Sequence, residues 1–337
     1  MKAKIAITIC AGIAAITLGI AVGSVVIPPG SVLRVILHNM LNHDLPEHIT
    51  HAHAAIVWNL RLPRTLLAFC AGAALSVSGA VMQSVLRNPL ASSYTLGVSS
   101  GASLGASLVI FIGVSLPLLP MLTLPLLGFA FGLGTILLVM AIARQLDGRM
   151  ENHTIILTGM VLALFVNAIT TLMFSLFREG TQRMVFWQMG SFSMRDWHTV
   201  YILAPLALVG ILLVYRFKTE MDVLTFGEEQ AQTIGVSVKR VKLILLIAAA
   251  ALTGGTIAFV GVIGFVDVVA PHVVRKIFGP LHRYVIPMSA AVGGTFMVAA
   301  DIVARTVIAP VELPVGAVTA LIGAPFFAYV YFNRSIR

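Results

Sequence analysis

Read for hydrophobic and polar positions, the chain is a series of long apolar runs separated by short breaks of charge, proline or glycine. The runs fall near 5–27, 62–86, 94–114, 118–143, 154–177, 198–217, 241–262, 264–278, 286–309 and 314–332. A membrane span needs about 20 predominantly apolar residues. The pattern therefore predicts an all-α, multi-pass membrane protein of about ten transmembrane helices. The division between the seventh and eighth runs is the weakest, because Gly254, Gly255, Gly261 and Gly264 interrupt one continuous apolar stretch. Small-residue stretches such as AGAALSVSGA and GVSSGASLGAS let helix backbones approach closely in lipid. The expected architecture is one compact bundle, with residues 1–337 forming a single transmembrane domain. The first run follows Lys2 and Lys4 in the manner of a signal peptide, but at 23 residues it exceeds the roughly 7–15 of a signal core. It reads as an uncleaved first span.

One interval departs from this pattern. Residues 218–242, KTEMDVLTFGEEQAQTIGVSVKRVK, hold eight of the 35 charged side chains of the 337-residue chain. Elsewhere the composition is that of a membrane protein: 58% hydrophobic and 10% charged, against roughly 25% charged in a soluble domain. The net charge of +9 is spread between apolar runs, which argues for topology and against nucleic acid as a partner. With the N-terminus inside, 15 of the 22 lysines and arginines fall in cytoplasmic breaks, all six lysines among them. That satisfies the positive-inside rule. Both termini and residues 218–242 are then expected in the cytoplasm, the last as a loop offered to a soluble partner.

The more specific signals are motifs. RLPR stands at 61–64, SGAVMQSVLRNPLASSYTLGVSSGAS at 78–103, WQMGSF at 187–192, LTFGEEQAQTIGV at 224–236, GFVDVVAPHVVRKIFGPLHR at 264–283 and ADIVARTVIAPVELPVGAVTALIGAPFF at 300–327. Asn88-Pro89 reads as a helix stop, because proline restricts the residue before it. In this order the motifs resemble the permease subunits of bacterial ABC importers for iron-siderophores, haem and vitamin B12, and the resemblance covers essentially the whole chain. It implies a permease dimer, homomeric or with a paralogue, in the bacterial inner membrane. Two ABC ATPase subunits would dock on the cytoplasmic side, and a periplasmic or lipoprotein substrate-binding protein would deliver the chelate from outside. The sequence has no G-x-x-x-x-G-K-[ST] phosphate loop, so it is not expected to be an enzyme or to hold a cofactor. ATP hydrolysis would belong to the partner.

Two sets of residues follow from the resemblance. The ATPase-coupling loop matches Leu224, Phe226, Gly227, Glu228, Glu229, Ala231, Ile234 and Gly235, read as two short helices broken at Gly227 and Gly235. Glu228 and Glu229 would lie in a first helical turn, where the backbone dipole favours anions. Leu224, Phe226, Ala231 and Ile234 would form an apolar face. By composition alone the segment reads equally well as a solvated loop. On the outer side the resemblance assigns Arg61, Arg64 and Arg305 to docking of the binding protein through its acidic residues, a task that suits guanidinium groups. Anchoring of helix ends is the structural alternative.

Asp267 departs from the resemblance, which has a small residue there. A carboxylate within a span is costly; pairing with His272 or Arg275, a wet cavity and protonation are all open, and a proton-driven secondary transporter is the rival that Asp267 suggests. Asp301 is expected to pair with a neighbouring helix. Residues 38–53 carry His38, His43, His48, His51 and His53, read as a solvated loop rather than a metal site. Cys10 and Cys70 read as packing residues. Ser76, Gln83, Asn167, Thr253 and Thr256 are the polar candidates for a translocation path. The sequence reading favours an iron-siderophore as cargo, with haem and vitamin B12 as alternatives, moved by alternating access.

Overall fold

The computed structural model describes residues 1–23, 26–41, 46, 49–148 and 150–332. His43, His48, Arg149, Arg334 and Arg337 lie outside them. The helices are α1 (Lys2–Ala21), α2 (Pro29–Leu41), α3 (His51–Ala55), α4 (Leu62–Val85), α5 (Val98–Ser107), α6 (Thr123–Leu146), α7 (Asn152–Leu176), α8 (Thr181–Met189) and α9 (Trp197–Arg216). They continue with α10 (Lys218–Leu224), α11 (Glu228–Thr233), α12 (Val238–Val260), α13 (Val266–Phe278), α14 (His282–Thr306) and α15 (Val315–Phe332). Among the described residues, seven helical stretches are long and apolar enough to span a bilayer, and Val98–Ile112 and Val315–Tyr329 are shorter apolar ones. Each of the ten expected runs coincides with one of these or with α13. The doubtful seventh boundary is real: the helix stops at Gly261 (φ +78) and restarts after Phe265, itself left-handed (φ 70).

The second span is longer than expected. It begins at His51 and runs through a π-helical turn, Ile56–Arg61, into α4. His51 and His53 therefore lie in a helix, and His38 in the last turn of α2, not in one solvated loop. The amphipathic α2 and the polar α8 were also absent from the hydropathy pattern, being too short or too mixed to read as spans.

Helix α4 is the centre of the bundle. In its span 83% of the most apolar window is buried, against 17% for α1. Small residues make this possible, since association in lipid relies on close packing rather than on a hydrophobic driving force. A Cβ on Gly72 would stand 2.2 Å from Gly293 O of α14, and one on Gly79 would stand 1.7 Å from Asp267 O of α13. Buried hydroxyls add polar ties: Thr253 of α12 donates to Ser78 of α4 at 2.7 Å, and Ser78 contacts Ala249 O and Ser93.

The bundle has two distinct ends. At one, Lys4 donates to Ile277 O at the close of α13, and α10, α11, Arg87 and the start of α14 gather beside it. At the other end, Arg61 reaches the last residues of α1. There the 187–193 segment bonds to Val260 and Val315, and Trp197 donates to Trp58 O at 2.9 Å while stacking on Tyr201.

Candidate functional site

At the Lys4 end, residues 218–237 fold as two short helices at right places for the two glycines. Gly227 (φ 126, ψ 154) separates α10 from α11, and Gly235 (φ +94) closes α11. Residues with a Cβ rarely take these conformations. Glu228 and Glu229 do occupy the first turn of α11. The four apolar residues divide: Leu224 and Ala231 are buried in the chain's own core, whereas Phe226 and Ile234 are 73% and 70% exposed. The reason is helical geometry, since each short helix must bury one face to stay attached to the bundle. The outward apolar surface is thus Phe226 and Ile234, not all four.

Three residues outside the expected set hold this segment in place. Lys242, almost completely buried, donates to Glu228 at 2.8 Å and to Met150 O at 2.7 Å. Asp222 on α10 accepts from the main-chain N–H of His282 at 2.8 Å and lies 2.6 Å from its Nδ1. The carboxylate therefore caps the N-terminus of α14, where the helix dipole favours an anion. A carboxylate is acceptor-only, which places the imidazole proton on Nδ1. No local spacing announces a contact between residues 60 apart in sequence.

At the opposite end, Arg61, Arg64, Arg195 and Arg305 line a cleft of about 650 Å³ together with Asn59 and Glu312. Three of the four were expected to act together, and the structure brings them together. They are also heavily engaged. Arg61 donates to Ile20 O and Ala21 O at 3.1 and 2.9 Å. Arg64 grips Asp301 through Nε and Nη2, the latter at 2.8 Å, and Glu312 through Nη1 at 2.7 Å. Arg305 donates to Gly19 O, and its Nε lies 3.7 Å from Asp301 Oδ2. Asp301 is paired across helices as expected. Arg195 was not among the expected docking residues; it sits two residues before α9 and its Nε has no hydrogen-bond partner. Burial lowers the Arg195 guanidinium below its ordinary value, and the Asp196 charge partly opposes this. Burial works against ionisation of Glu312, but the hydrogen bond and charge of Arg64 outweigh it and hold the carboxyl below its ordinary range.

Asp267 is buried in the first turn of α13, and Arg275 does not pair with it. Arg275 instead donates to Gln83 Oε1, to Ser84 Oγ at 3.0 Å and to Ala80 O at 3.2 Å. Of the path candidates, Ser76 is fully buried without a partner for its hydroxyl, Gln83 and Thr253 bond to neighbouring helices, and Thr256 bonds within α12. Asn167 stands on the exposed face of α7 with Leu164 and Phe165.

Comparison with known proteins agrees with this geometry. Residues 10–333 match the model of the FecCD transport family. The cobalamin import system permease protein BtuC of Halobacterium salinarum is 39% identical, covering 84% of this chain and 74% of that protein. The Fe(3+)-citrate import system permease protein YfmE of Bacillus subtilis is 35% identical, covering 93% and 90%. A solved structure described as an inward-facing conformation of a putative metal-chelate type ABC transporter superposes with a TM-score of 0.85 at 27% identity, covering 99% of this chain and 100% of that one. The chain belongs to the FecCD transport family and is a multi-pass permease of the ABC importer type.

Proposed function

We infer that this chain translocates an iron-siderophore across a bacterial inner membrane by alternating access, driven by a separate ABC ATPase. The observation that carries the reading is the isolated pair of exposed apolar side chains, Phe226 and Ile234, on a two-helix segment otherwise pinned to the bundle. A partner gripping Phe226 and Ile234 would move α10 and α11 as a unit. The Lys4 end is then cytoplasmic, with Lys218, Lys239 and Arg240 on the side that the positive-inside rule prefers.

The cleft at the other end is the docking place for a substrate-binding protein. Its arginines present fixed positive charge whose main effect would be on orientation and on-rate. The relatives above are named for import of cobalamin and of Fe(3+)-citrate, and an iron chelate is the cargo we propose. A second permease, of this sequence or a paralogue, would cover the α7 face, where an exposed Asn167 is costly against lipid but suits a wet path between subunits. The proton-driven alternative is not carried forward, because the family is one of ABC permeases.

The test is co-purification and uptake. An ATPase should co-purify with the wild-type chain and be lost from Phe226→Asp, and cells should take up ⁵⁵Fe-siderophore but not labelled cobalamin or haemin. Uptake by the chain alone under a proton gradient, abolished in Asp267→Asn, would overturn the reading.

A further inference from the structure

The ties around α10 do not end at α14. His282 Nε2 lies 2.6 Å from Ser84 Oγ on α4. Ser84 Oγ accepts from Arg275 Nη2 on α13 at 3.0 Å. Arg275 Nη1 donates to Gln83 Oε1, and Gln83 Nε2 donates to the carbonyls of Asp267 and Val268 at 3.4 and 3.3 Å, at the start of α13. The 261–265 turn just before α13 packs on the opposite end of the molecule. A Cβ on Gly261 would stand 2.1 Å from Trp187 O, and Ser191 donates to Val260 O. Two residues on, Ser193 lines the arginine cleft.

We propose that Asp222, His282, Ser84, Arg275 and Gln83 are positioning residues that transmit movement of the α10–α11 segment to the start of α13, and through the 261–265 turn to the cleft. The proposal rests on the coupling reading above. Three properties favour transmission over mere packing. The line is continuous at hydrogen-bond distance and joins four helices. Ser84 and His282 are buried, so water cannot replace a broken link. Ser84 also has two discrete arrangements: its single proton faces two acceptors, Ala80 O at 2.8 Å and His282 Nε2. Tilting His282 away from Ser84 releases that proton to Ala80 O with no acceptor left unpaired on α4. Coupling of this kind requires an element with two arrangements that both sites bias, and the hydroxyl supplies one.

The experiment needs no knowledge of the cargo. In the complex purified with its ATPase, from a Cys10→Ser/Cys70→Ser background, Ser193→Cys is labelled with a maleimide with and without ATP and vanadate. A coupling free energy in the usual range corresponds to a change in labelling rate of roughly fivefold or more. Ser84→Ala and Asp222→Ala should each lower that ratio towards one, ATP hydrolysis and co-purification should persist in Ser84→Ala, and Ser84→Thr, which keeps the hydroxyl, should restore the ratio. Where either variant leaves part of the response, combining Ser84→Ala with Asp222→Ala should remove no more of it, since both cut one line; losses that multiply would mean two separate structural effects and sink the proposal. A full nucleotide response in Ser84→Ala, with thermal stability like wild type, would also overturn it. Failure of an ATPase to co-purify with the unmutated chain would instead refute the coupling reading itself.

Discussion

The two ends of the bundle solve opposite problems with similar residues. At the Lys4 end the charged side chains Lys242, Glu228 and Asp222 turn inward as struts, and two apolar side chains, Phe226 and Ile234, are left facing outward among the exposed charges of Glu229, Lys239 and Arg240. At the arginine end the surface itself is charged, and the guanidinium groups are immobilised by main-chain carbonyls and by Asp301 and Glu312. The first arrangement suits a grip that must stay closed while it moves. The second suits a pre-oriented field that a partner approaches and leaves. What separates them is which atoms are left for a partner once internal bonds are satisfied.

That contrast can be broken most severely at Gly227. Gly227→Pro removes the N–H that bonds to Leu224 O and forces φ from 126° to about −65°. Transport should be lost almost entirely, with insertion of the chain in the membrane intact; normal uptake would show that the turn at Gly227 between α10 and α11 is dispensable. At the other end, Arg64→Ala leaves Asp301, 1% exposed, without its main partner, and removing one member of a buried pair costs about 3–5 kcal/mol. Thermal unfolding in detergent should show this as the larger stability loss of the two ends. Between the ends, Gly72→Ala drives a Cβ into Gly293 O, and overpacking of this kind costs roughly 1–3 kcal/mol; an unchanged melting temperature would mean that α4 and α14 are less tightly apposed. Smallest is Glu312→Gln, worth under about 1 kcal/mol because the Arg64–Glu312 pair is partly solvated. Its contribution is present above the ordinary carboxylate range. It is lost as pH falls through the lowered value, so wild type and variant should converge in acid and differ slightly at neutral pH.

Much of the fold was legible because hydropathy acts over a whole span, and ten apolar runs leave few alternatives. The glycine positions at 227 and 235 were equally readable, each being a local demand on φ. What stayed hidden was anything decided by pairing at a distance. Leu224 and Ala231 looked like surface until the core beneath them was known. Asp222 and His282 carry no mutual signal in sequence, and neither do Arg275 and Gln83. Arg275 sits two helical turns from Asp267 and yet bonds across to α4, because the Gly79 contact brings that helix closer than its own first turn. The π-helical extension at 56–61 was masked by the polar residues that line the cleft.

Helix α14 belongs to both ends: His282 begins it under Asp222, and Asp301 and Arg305 finish it beside the cleft. Its phase is therefore shared information. One residue added anywhere between them would turn the far end by about 100° relative to the near one. Asp301 would swing away from Arg64 while every local sequence around it stayed the same. Exchanging outer loops between relatives should thus be tolerated far better than any change in the length of this one helix.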